Sequence, residues 1–204
     1  LQLSGSERFL LGIRPLDQDG QFTSQQFRPD GPGDEDGYVE AINAEITTFF
    51  FEGDFGEIFP NLDPRDEKGI DIGFAVGRQP VNYQEGMLIN DSIDAIGITR
   101  NTLLPKGVSD LQITFLYGWN DVHRDDNFER DNQKLWSLSF ALDGPNATNN
   151  VDLVYIDDRN GETGGFFWGV SDVRRIGHFN LSTRVLGSHA TDEESDVVSD
   201  GNLI

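Results

Sequence analysis

In the stretch Leu111-Gln112-Ile113-Thr114-Phe115-Leu116-Tyr117-Gly118-Trp119, every odd position carries a large apolar or aromatic side chain, and the even positions are mostly polar or small. A period of two is the signature of a β-strand, whose side chains point alternately to opposite faces, so one face of this segment is oily and the other is not. The same alternation sets Ile70, Ile72, Phe74 and Val76 against Asp71, Gly73, Ala75 and Gly77, and Trp136, Leu138, Phe140 and Leu142 against Ser137, Ser139 and Ala141. From 178 to 186, Phe179, Leu181, Thr183 and Val185 alternate with His178, Asn180, Ser182 and Arg184. Weaker versions run over residues 9–13, 41–51, 93–100, 151–156 and 165–170. The chain reads as β almost throughout.

Turn-forming, highly charged segments separate these runs, at 17–20, 28–37, 61–69, 120–133, 143–150, 157–164 and 190–201. Short and long connections mixed along one meander are the layout of an antiparallel up-and-down barrel with brief turns at one rim and long loops at the other. No linker divides the chain, so residues 1–204 read as part of a single architecture.

A soluble β-sandwich and a membrane barrel both alternate, and the composition of the less apolar face separates them. In a sandwich that face meets bulk water and usually carries Lys, Glu and Thr. Here it is rich in Gly, Ser, Ala, Asn, Asp and Arg, the small and hydrogen-bonding set suited to a wet, crowded lumen. Tyr117, Trp119, Trp136 and Trp168, the last beside Phe166 and Phe167, are placed as an interfacial aromatic girdle would require. The rival architecture is a secreted or surface β-sandwich that binds carbohydrate through exposed aromatics such as Trp119 and Trp168. No stretch approaches the roughly 18 uninterrupted apolar residues of a membrane helix, so any crossing is made by strands.

Charge and composition remove other classes. Fifteen basic against 36 acidic side chains give a net charge of −21, and no basic run exceeds Arg174-Arg175, so a nucleic-acid partner is not expected. With no cysteine and three histidines, thiolate chemistry is absent and a metal centre is poorly supplied; no metal or other cofactor is expected. The acidic segments 30–37 and 192–196 do not fit the twelve-residue calcium loop and read as solvated charge. Glu52, Asp54 and Glu57 form an acidic group near aromatics, the raw material of glycoside hydrolysis, but their place at a strand end before Phe59-Pro60 reads more simply as a charged turn. His123, His178 and His189 have no Gly-x-Ser-x-Gly partner, and no catalytic residue is assigned.

Two segments add a likeness. Phe49 to Pro60, and Gly77-Arg78-Gln79-Pro80 through Glu85-Gly86-Met87-Leu88 to Asp94-Ala95-Ile96-Gly97, resemble large Gram-negative outer-membrane porin-like barrels, including the alginate-export type. In those barrels a strand ending in Gly-Arg-Gln is followed by a loop and a strand carrying Asp-x-x-Gly. The resemblance is best over residues 45–120. It implies a transmembrane antiparallel β-barrel of the cell outer membrane, a channel for passive or weakly selective passage of small hydrophilic, anionic or carbohydrate solutes. Membrane lipid and lipopolysaccharide would be its surroundings. The chain opens on Leu1-Gln2-Leu3 and lacks the terminal aromatic residue of such barrels, so the expectation is an internal piece of a larger one.

Under that reading the residues expected to line the lumen are Arg78, Arg100 and Arg184, with Asp71 and Asp94 as their carboxylate partners, and His178. Arginine outnumbers lysine twelve to three, and a guanidinium stays charged when partly buried. Arg184 has the clearest inward parity. Arg78 shares the parity of Phe74 and Val76, so it faces inward only if a bulge near Gly77 resets the register.

Overall fold

The computed structural model describes residues 5, 7–18, 21–22, 24–26, 37–39, 42, 46–62, 71–123, 133–158, 164–191 and 201–203. Its main element is a ten-stranded antiparallel sheet in which each strand pairs with the next. The strands are β1 (Arg8–Ile13), β2 (Ile46–Asp54), β3 (Ile72–Tyr83), β4 (Ile89–Leu103), β5 (Asp110–Asn120), β6 (Gln133–Asp143), β7 (Ala147–Asp158), β8 (Gly165–Ile176), β9 (Phe179–Ala190) and β10 (Gly201–Leu203). Two short pairings, Asp17–Gln18 with Gln21–Phe22 and Ser24–Gln26 with Gly37–Val39, lie between β1 and β2 in sequence. The protein is thus all-β with up-and-down order. The sheet is open: β1 and β10 stand at its two ends and do not pair with each other, so the closed barrel expected from the sequence is not what the described strands form.

The register gives the two faces. One row of opposed residues runs Phe9, Phe51, Val76, Ile96, Tyr117, Trp136, Tyr155, Phe166, His189 from β1 to β9. The next row on the same face runs Phe74, Ile98, Phe115, Leu138, Leu153, Trp168. Between them, on the opposite face, lies Ala75, Gly97, Leu116, Ser137, Val154, Phe167, Ser188. Strand pleating therefore sorts the large apolar side chains to one face and the small and polar ones to the other.

Exposure inverts the pattern of a water-soluble sheet. Phe49, Ile98, Phe115, Tyr155 and Val170 are exposed, Leu11 is 66% exposed and Phe179 78%, whereas Ile93, Ala95, Ser137, Val154 and Ser171 of the small-residue face are buried. We call the buried face inner and the apolar face outer. A β-sandwich would press the large apolar side chains between two sheets; the described strands instead carry them on the outside of a single sheet.

A single sheet hides one face only by curling. Gln84, directly after β3, receives a hydrogen bond from Arg184 of β9 at 3.2 Å. In a flat sheet the six strand spacings between β3 and β9 would hold these residues roughly 29 Å apart. β3 to β9 therefore wrap into a trough that returns on itself, with the inner face inside. Its dry core comprises Val81, Ile93, Ala95, Leu116, Val122, Leu135, Val154 and Ile156, packed with Tyr83, Leu88, Ile89 and Phe167.

Connections differ between the two rims. Residues 144–146 and 177–178 make the short turns of one rim, which 104–109 and the longer span 55–71 share, and 14–45, 84–88, 121–132, 159–164 and 191–200 join the strands at the other, the long-connection rim. At the short-turn rim the span between β2 and β3 opens with a one-turn helix, α1 (Phe55–Ile58). Asp54 caps it by accepting from the backbone N–H of Gly56 at 2.7 Å and of Glu57 at 3.3 Å. Glu52 forms an ion pair with Arg8 of the neighbouring strand. Two members of the acidic group thus have structural work. The acidic segment 192–196 and residues 30–36 lie outside the described residues.

Candidate functional site

The trough is crossed by the turn joining β3 and β4, residues 84–88. Its backbone is left-handed at three successive positions, Gln84 (φ 53), Glu85 (φ 57) and Gly86 (φ 83). Glycine adopts this region freely, but Gln84 and Glu85 each carry a strain of about 1–2 kcal/mol there. Backbone hydrogen bonds close the turn, Met87 N to Gln84 O at 3.2 Å and Leu88 N to Tyr83 O at 3.3 Å. The chain thereby aims Gln84 across the trough rather than over its rim.

What the turn meets is polar and specific. Gln84 Nε2 donates to Asp152 Oδ2 of β7 at 2.7 Å, and Ser139 of β6 donates to the other oxygen of the same carboxylate. Arg184 encloses the turn from β9: Nε donates to Gln84 Oε1 at 3.2 Å, Nη1 to Met87 Sδ at 3.2 Å, and Nη2 pairs with Glu85 Oε2 at 3.1 Å. Tyr83 and Ser137 share a hydrogen bond of 2.8 Å between their hydroxyls. Gln84 and Asp152 are buried, and a buried polar group of this kind is stable only when so paired.

Room for the turn is made by Gly169 of β8. A Cβ there would stand 2.7 Å from Gln84 Cγ and 2.8 Å from Leu186 Cδ2. Beyond the turn, toward the short-turn rim, the inner face becomes hydrophilic: Thr99 and Thr114 hydroxyls meet at 3.0 Å, and Gln112 Nε2 donates to Asn101 Oδ1 at 2.9 Å. No protein-family model matches the chain, and no curated protein or solved structure matches it.

The residues singled out in the sequence fall in different places. Arg184 is on the inner face, opposite Ser171, as its parity requires. Arg78 and Asp94 are opposed to each other on the outer face, because β3 and β4 pair without a register shift at Gly77. Gly77 instead absorbs the close approach of β2 with φ 123; a Cβ there would lie 2.9 Å from Phe50 Cα. The expected Arg78–Asp94 pair does form, with Nε to Oδ1 at 3.1 Å and Nη2 to Oδ2 at 3.4 Å, and it extends to Ile46 O at 3.3 Å and to Asp121. Asn120 Nδ2 donates to Asp94 at 3.0 Å, so this cluster braces the long-connection rim rather than lining the trough.

Arg100 lies on the outer face, flanked in register by Ile72 and Ile113, one step beyond Ile98. Asp71 precedes β3 and is exposed; its carbonyl accepts from Asn101 N at 3.2 Å, and no ion pair joins it to Arg100 among the described residues. His178 is not in a strand: with Gly177 (φ 62) it forms the exposed turn between β8 and β9. The lumen assignments of Arg78, Arg100, Asp94 and His178 are corrected accordingly.

The expected girdle residues share the outer face. Tyr117 lies 6.1 Å from Trp119 and 5.5 Å from Trp136, and Trp136 lies 5.8 Å from Tyr155, between ring centroids. Trp168 sits on the same face between Leu153 and Gly187. Sequence reading expected a loop after Gly77-Arg78-Gln79 but missed that the 84–88 turn crosses the trough, and missed Asp152, Ser139, Tyr83 and Gly169. The usable signal was Asp152 itself, a lone carboxylate between Val151 and Leu153 on the face that must be enclosed.

Proposed function

We propose that this chain forms the wall of an outer-membrane channel, with its outer face against lipid and its inner face around an aqueous passage that the 84–88 turn constricts. The observation that carries the reading is the exposed apolar face, continuous across the sheet from Phe9 and Leu11 to Phe179 and Leu181. Burying such a side chain is worth about 1.5–3 kcal/mol, and soluble proteins do not leave a patch of this extent in water.

Strand length supports the same reading. β3 to β9 run 11 to 15 residues. Eleven residues at about 3.4 Å each, tilted by about 40°, rise roughly 28 Å, close to a bilayer's hydrocarbon thickness. Tyr117, Trp119, Trp136 and Tyr155 near the long-connection rim suit a membrane–water interface, where amphipathic rings are favoured. No described helix is long and apolar enough to cross a membrane, which leaves the crossing to strands. The solutes proposed are small and hydrophilic, passing down a gradient, and surface lipopolysaccharide would meet the long connections.

The test uses the three tryptophans, all on the outer face. Refolded into vesicles of brominated phosphatidylcholine, the chain should show strongly quenched tryptophan emission, and the vesicles should swell in small sugars faster than empty ones. A chain that stays in the aqueous phase with unquenched emission would overturn the reading.

A further inference from the structure

We propose that Arg184 is a positioning residue that latches the 84–88 turn across the passage, and that release of this latch opens it. The proposal rests on the channel reading above and deepens it.

Three observations converge on the latch. The first is where the guanidinium points. Nε, Nη1 and Nη2 of Arg184 are all directed to the turn, at Gln84, Met87 and Glu85. An arginine that selects solute presents its planar fork to the passage instead.

The second is the backbone. Glu85 and Gly86 have the positive φ of an ordinary tight hairpin turn, but Gln84 adds a third left-handed position, and the side-chain contacts that hold it there come from β7 and β9. Without them the turn relaxes toward ordinary hairpin geometry. The third is dryness. Behind the turn Ile93, Leu135 and Val154 are fully buried, so among the described residues apolar side chains fill the trough at this level while the turn is seated. Solute passage requires the turn to leave, and its tip is held by hydrogen bonds and one ion pair that water can replace.

The geometry also supplies the means to lock it. A Cβ at 169 would stand 2.7 Å from Gln84 Cγ, the place a sulfur at 84 would take, within disulfide reach. The natural chain has no cysteine. The doubly substituted chain, Gln84→Cys with Gly169→Cys, is refolded into brominated vesicles and its sugar-driven swelling compared oxidised and reduced. Oxidised vesicles should swell about tenfold more slowly than reduced ones. Arg184→Met should swell several-fold faster than the natural chain with an unchanged reversal potential in a salt gradient. Equal rates for oxidised and reduced vesicles would overturn the latch. So would an Arg184→Met chain that shifts the reversal potential at unchanged swelling, because the arginine would then face the permeant ion. Tryptophan quenching is read in every sample: retained, it confines a failure to the latch; lost in the natural chain, it removes the channel reading and the latch with it.

Discussion

Gln84 joins Arg184, 100 positions later, to Asp152: its side-chain oxygen accepts from the guanidinium at 3.2 Å and its nitrogen donates to the carboxylate at 2.7 Å. One amide thus stands between opposite charges from two strands, and its orientation is fixed because reversing it would face donor to donor and acceptor to acceptor.

Asp152→Ala should therefore cost about 2–3 kcal/mol, since it leaves the Gln84 amide and the Ser139 hydroxyl without their charged acceptor in a buried place. Ser139→Ala should cost about 1 kcal/mol, because Gln84 keeps its partner. Urea titrations of the vesicle-inserted chain measure both, and equal costs would show that Gln84 does not depend on Asp152.

Phe115 and Thr114 are neighbours on opposite faces of β5. Phe115→Arg should destabilise the inserted chain by about 2–4 kcal/mol, the penalty for a cation on a lipid-facing strand position. Thr114→Arg should cost about 1 kcal/mol, from the lost hydrogen bond to Thr99. Equal effects in refolding titrations would sink the assignment of the outer face to lipid.

Gly77→Ala should disrupt the pairing of β2 with β3, because a methyl group would be driven into the backbone at Phe49 and Phe50 while the residue is held at positive φ. The expected cost exceeds about 2 kcal/mol. Hydrogen exchange should rise first in residues 46–54, and a chain with natural protection there would contradict the close approach.

Arg78→Met should leave Asp94 and Asp121 facing each other without their shared cation, at a cost of about 1–2 kcal/mol in dilute buffer. Raising the salt concentration should narrow the gap from the natural chain, since the exposed part of the repulsion is screened. A gap independent of salt would place the loss in packing.

The alternation of Leu111 to Trp119 and of Trp136 to Leu142 was legible because a period of two needs no knowledge of neighbours. It yielded strands and their two-sidedness, and for Arg184 the correct face. Gly77 misled in one respect: a glycine inside a strand suggests a bulge, but positive φ lets it accommodate a close neighbour without shifting the register, so Arg78 keeps the parity of Phe74 and Val76. His178 looked like the first residue of a strand because alternation continues through it, whereas Gly177 bends the chain there. A loop between Gln79 and Asp94 was expected, but the path of the 84–88 turn could not be read. Nothing in Gln84-Glu85-Gly86 announces a destination, since its partners are set by how far the sheet curls, a property of the whole assembly of strands and not of any one segment.

The left-handed turn also orders events during assembly. Its left-handed Gln84 precedes in sequence the side chains that hold it. Asp152 must arrive on β7, and Arg184 on β9, before the cross-trough grip is complete. The grip is therefore a property of β3 to β9 taken together, and no shorter piece of the sheet holds both of its ends.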